Sequence, residues 1–119
     1  MTGTINPPDF DDMMELSETI RELSLKEIGL KNKIKEEEAK VVIEATLSDE
    51  HLVNNKPPSM AFINSAWIFT GFNGEILELR SELAKVSSEL DAVKRVFDLK
   101  RDMLEVWRTE SANKRASVL

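Results

Sequence analysis

From Ile76 to Trp107 the chain carries an apolar seam stepped by threes and fours: Ile76, Leu79, Leu83, Val86, Leu90, Val93, Phe97, Lys100, Leu104, Trp107. Nine of these ten positions are apolar. A spacing that averages half a heptad puts them on one line of an α-helix, as a coiled-coil partner surface requires. A second and weaker seam runs through Met13, Leu16, Ile20, Leu23, Glu27, Leu30, Ile34, Glu37 and Val41, interrupted at Glu27 and Glu37. Gly29 adds a helix-propensity cost of roughly 1 kcal/mol relative to Ala.

These two seams set the element boundaries. Asp9 or Asp11 can cap a first long helix over about 11–47, and Pro7-Pro8 stops it from extending N-terminally. Residues 48–74 read as a connector. Ser48-Asp49-Glu50 starts one short turn, and Asn54-Asn55-Lys56-Pro57-Pro58 cannot continue a helix. Ser59 then caps a short aromatic helix over Met60–Phe69; a strand is the competing reading, because Phe62, Asn64, Ala66 and Ile68 would share one side of it. Gly71-Phe72-Asn73-Gly74 marks a break, and a second long helix spans about 75–115, followed by a frayed tail from Ala116 to Leu119.

Two helices of equal reach joined by a loop predict an all-α, antiparallel helical hairpin with coiled-coil packing, in a single domain of 119 residues. The charge pattern suits that arrangement. Residues 1–24 hold six acids (Asp9, Asp11, Asp12, Glu15, Glu18, Glu22) against Arg21, and residues 94–119 hold seven bases against four acids. A hairpin sets the acidic start beside the basic end. The second helix also carries a flanking row that includes Leu77, Ala84, Val96, Leu99, Met103 and Val106, more apolar surface than one partner helix covers. Oligomerisation follows, with Leu79, Leu83, Val86, Leu90, Val93, Phe97, Leu104 and Trp107 serving both the hairpin and neighbouring subunits.

Composition narrows the functions. The net charge of −6 argues against a general polyanion binder. The chain has no Cys, hence no disulfide framework and no thiolate metal site, which fits a reducing cytoplasm. It has no apolar run long enough to span a membrane and no signal-peptide order at its start. His51 is the sole histidine, so a transition-metal site would rest mostly on carboxylates. Glu36-Glu37-Glu38 are consecutive helix residues that point in different directions and read as a solvated face. Gly71-Phe72-Asn73-Gly74 lacks the length and the Lys-Ser/Thr ending of a phosphate loop. Neither an enzyme, a metal nor a cofactor is expected.

Two features remain as binding candidates. Phe62, Trp67, Phe69 and Phe72 lie near Lys56; they form either a plug at the loop end of the hairpin or a platform for nucleobases, and the plug is favoured. Lys94, Arg101 and Arg108 stand seven apart on one helix line, with Arg95 beside them and Lys114 and Arg115 beyond. A line of cations can track a phosphate backbone. Pairing with the acidic N-terminal turn, or simple solvation, is the reading favoured for these residues.

The order Lys33-Ile34-Lys35-Glu36, Asn54-Asn55-Lys56-Pro57-Pro58-Ser59-Met60 and Ala66-Trp67-Ile68-Phe69-Thr70-Gly71, with a heptad helix carrying Arg101-Asp102-Met103-Leu104 and Trp107-Arg108-Thr109-Glu110-Ser111-Ala112-Asn113, resembles the small helical recombination-mediator-like proteins of bacteriophages. The resemblance covers the chain from about residue 25 onward. It implies a helical oligomer in the host cytoplasm that binds single-stranded DNA and assists a recombinase or annealing protein against a single-strand-binding protein. Secreted Trp-x-Gly hairpin proteins do not fit, because Ile68-Phe69 follows Trp67. A coiled-coil adaptor without nucleic acid remains an alternative. So does a prefoldin-like holdase, which requires strands within Met60–Phe72.

Overall fold

A computed structural model describes residues 9–118, apart from the side chains of Ser117 and Val118. The Pro7-Pro8 stop lies outside these residues, as does Leu119. The protein is all-α. Helix α1 spans Phe10–Leu47, a 3-10 turn spans Asp49–His51, α2 spans Met60–Ala66 and α3 spans Glu75–Val118. No strand forms among the described residues; Val53 and Lys56 make a lone antiparallel bridge.

Local chemistry explains most boundaries. The Asp9 carboxylate accepts a bond from the Asp12 N–H at 3.1 Å, so Asp9 closes the start of α1. Ser48 accepts from the Glu50 N–H and Ser59 from the Phe62 N–H, capping the 3-10 turn and α2. Asn54 and Asn55 both take positive φ, which turns the chain between the paired Val53 and Lys56 backbones. Two boundaries differ from the sequence expectation. α2 stops at Ala66, short of Phe69, because the N–H groups of Trp67 and Ile68 both bond back to the Ile63 carbonyl and close the helix. At the far end, α3 runs through Ala116 to Val118, since nothing after Gly74 breaks a helix.

The chain divides into two compact units. The connector unit is Leu25–Ser87. The terminal unit is Met1–Ser24 with Ser88–Leu119, of which residues 9–24 and 88–118 are described.

In the connector unit α1 and α3 pack with α2 and the loops over them. Ile34, Val41, Ala45, Ile63 and Ile76 form the buried cluster, with Val42, Trp67, Ile68, Phe72, Leu79 and Leu83 packed around it. Ile63 and Ile76 are wholly buried. Both interruptions of the α1 seam find partners. Ser87 donates to the half-buried Glu27 carboxylate at 2.7 Å, and Glu37 pairs with Lys40 at 3.4 Å. Contacts between the helices run in opposite sequence directions: Glu27 meets Ser87, whereas Glu38 meets Arg80.

Among its described residues the terminal unit has α1 and α3 alone. Leu90 is buried there, and Val93, Phe97, Leu104 and Trp107 are half-buried, as are Met13, Leu16, Ile20 and Leu23 of α1. Lys100, the polar gap in the α3 seam, is half-buried and forms an ion pair with Asp12. The seam breaks where α1 supplies a carboxylate.

Candidate interaction surfaces

The aromatic block is a packed cap in the connector unit. Trp67 sits at its centre, with ring centroids 5.1 Å from both Phe62 and Phe72. His51 stacks on Phe72 at 4.0 Å with the rings 8° from parallel, and meets the edge of Trp67 at 5.6 Å. These rings take up one another's faces, which favours the plug over a nucleobase platform. Phe69 stands apart from that stack. The Arg80 guanidinium lies 4.7 Å over its ring, donates to the Phe69 carbonyl at 3.0 Å and pairs with Glu38 at 2.5 Å. One arginine thereby ties α1, the connector and α3 together.

The start of α3 is fixed by a carboxylate. Glu75 accepts from the Phe72 N–H at 3.2 Å and the Asn73 N–H at 2.8 Å. Backbone donors, its own N–H first, hold its carboxyl below the usual carboxylate range. Gly71, at φ +82°, brings the backbone against this carboxylate, where a Cβ would collide with it.

Glu44, Glu50 and His51 each offer a donor atom, all within 4.8 Å of one another. The His51 Nε2 lies 3.4 Å from Glu44 Oε1, and ring stacking fixes the imidazole. A divalent cation would find one nitrogen and two carboxylate ligands here. Both carboxylates are exposed, so water competes for them. The Glu36-Glu37-Glu38 run forms no joint site: Glu36 and Glu37 pair with Lys40 and Glu38 with Arg80. An open depression of about 440 Å³ lies beside Lys56, Pro57, Pro58 and Phe62.

In the terminal unit, Lys94, Arg95, Arg101, Arg108, Lys114 and Arg115 are all exposed along α3. Their charges are partly answered on the same helix. Arg101 pairs with Asp98 and Arg108 with Glu105, each at 3.3 Å and one turn away. Arg115 donates to the Ser111 carbonyl at 3.4 Å. The line therefore alternates in sign.

The α3 seam residues Leu79, Leu83, Val86, Leu90, Val93, Phe97, Leu104 and Trp107 are all buried or half-buried within the chain. The flanking row is exposed: Leu77, Val96, Leu99, Met103 and Val106, with Leu99 at 61%. Leu99, Asp102, Met103 and Val106 line an open depression of about 350 Å³.

Sequence reasoning missed the roles of Arg80, Glu75 and His51. Glu75, just after Gly74, carried the one local signal, since an acid in the first helical turn can reach back to free N–H groups. Comparison with protein-family models, with curated proteins and with solved structures returned no match to this chain.

Proposed function

We propose that this chain is an antiparallel helical hairpin that works as a non-enzymatic, self-associating interaction module. The α1–α3 seam packs in coiled-coil fashion, and α3 presents a further face to other copies. The observation that carries this reading is the exposed row Val96, Leu99, Met103 and Val106, which two helices leave uncovered. An apolar line of this kind on a charge-rich surface marks a contact site. The opposed order of the contacts between α1 and α3 supports the hairpin, and the absence of Cys agrees with a reducing cytoplasm. Sedimentation equilibrium tests the reading: concentration-dependent oligomers are expected, and a well-folded monomer at every concentration refutes it.

A second reading is that the module binds single-stranded DNA as an accessory of phage recombination or replication, acting with a recombinase or against a single-strand-binding protein. It rests on the phage-protein resemblance and on the exposed cations Lys94, Arg101 and Arg108 along one helix line, beside Arg95 and extended by Lys114 and Arg115. The net charge of −6 and the local pairs at Arg101 and Arg108 weigh toward the adaptor. Fluorescence anisotropy with a labelled single-stranded oligonucleotide separates the two. Binding that weakens with salt and disappears when Lys94, Arg101 and Arg108 are changed to Glu, with helicity kept, establishes the DNA reading. No binding at low salt removes it. The helix at Met60–Ala66 stands where the prefoldin-like alternative requires strands.

A further inference from the structure

The exposed row on α3 has a period of its own. Ala92, Val96, Leu99, Met103 and Val106 are spaced four, three, four and three, so they form a second heptad seam, about 21 Å long, beside the one that packs on α1. All five are exposed. Arg95 and Asp102 stand seven residues apart along one flank of this row, and Asp102 lines the depression next to Leu99 and Met103.

We propose that the occupant of this row is the same row of a second copy, paired antiparallel about a two-fold axis, in the register set by Arg95 and Asp102. This deepens the self-association reading and rests on it. A two-fold contact uses one patch twice, so each residue choice counts twice. With Val96 packed against Leu99 of the second copy, and Ala92 against Met103 of the second copy, four apolar layers form. Arg95 then faces Asp102 of the second copy, once on each side of the axis.

The competing pairings are worse. A shift of one heptad sets Val96 opposite Val106 and Leu99 opposite Met103, which keeps four layers but brings the two Asp102 carboxylates together. A parallel pairing places Arg95 opposite Lys100 of the second copy. Charge thus selects one arrangement among three of similar apolar content. The row is short, so the pairing is a concentration-dependent dimer rather than an obligate one.

Sedimentation equilibrium on the full chain and four variants tests this. Leu99→Asp puts a carboxylate at the centre of the row and is expected to abolish the dimer. Circular dichroism should stay unchanged, because Leu99 already faces solvent. Arg95→Asp and Asp102→Arg are each expected to weaken the dimer by about tenfold, and the two together to restore it, since the swap re-forms both pairs. Recovery in the double variant supports the antiparallel register. A dimer strengthened by Arg95→Asp alone indicates the parallel pairing and overturns the proposal. Oligomers indifferent to Leu99→Asp also overturn it, while leaving self-association standing through another surface. A monomer at all concentrations removes both.

Discussion

The same two helices are treated differently in the two units. In the connector unit a third layer, made by α2 and the loop aromatics, closes over the α1–α3 seam, and Ile63 and Ile76 lose all contact with water. Among the described residues of the terminal unit α1 and α3 pack alone; Leu90 is buried, while Phe97, Leu104 and Trp107 keep part of their surface wet. Two cylinders touching along a line cannot enclose side chains on both flanks of that line. The difference therefore lies in the number of layers, since the seam itself continues from Ile76 to Trp107.

The largest expected effect breaks the contrast from the enclosed side. Ile76 is wholly buried, so Ile76→Ala leaves a cavity in the enclosed cluster and should cost about 3 kcal/mol in urea unfolding. Leu104→Ala, in the terminal unit, should cost about 1 kcal/mol, because the site can collapse and was never dry. Equal losses would erase the distinction. Next, Gly71→Ala should cost about 2 kcal/mol, since a residue with a Cβ is strained at φ +82° and the added methyl collides with the Glu75 carboxylate. Amide exchange should then quicken at Phe72 and Asn73, whose N–H groups that carboxylate holds.

A fourth substitution makes the terminal unit more like the connector unit. Lys100→Met restores an apolar residue at the gap in the seam. It should raise stability by about 1 kcal/mol, because the Lys100–Asp12 pair offsets little of its own desolvation and Asp12 can return to water. Thermal unfolding reads the sign, and destabilisation would mean that the ion pair outweighs the apolar contact.

The smallest effect concerns pH. Glu75 is held below its ordinary value of 4.5 by backbone donors. A lowered folded value means that the stabilisation is complete above the unfolded value and fades as pH falls through the folded one. Glu75→Gln should lower stability slightly at neutral pH and match the parent in strong acid, so the two stability curves converge only below about pH 4.5.

Much of this organisation was legible in the residues. Each position of the α3 seam named from spacing is buried or half-buried, and the flanking apolar row is exposed. Spacing reports which side of a helix is apolar, and a helix has few other ways to bury it. The end of α2 was not legible, because it depends on where Trp67 and Ile68 must go to seat on a core built by distant residues. Arg80 reads as one more surface arginine; its partners, Glu38 and the Phe69 carbonyl, come together only once the fold exists. The basic line was visible, but its pairing at Arg101 and Arg108 depends on rotamers that spacing does not fix. In the sequence His51 is one residue of the connector, and only the folded chain sets its ring against Phe72.

The two tryptophans divide between the units: Trp67 lies in the aromatic cap and Trp107 in the seam of the terminal unit. The protein thus carries one intrinsic optical reporter in each. Trp67→Phe leaves fluorescence that follows the terminal unit, and Trp107→Phe leaves fluorescence that follows the cap. Coincident melting curves from the two variants would mark a single cooperative transition, whereas a lower midpoint from the Trp107 reporter would show the terminal unit opening first.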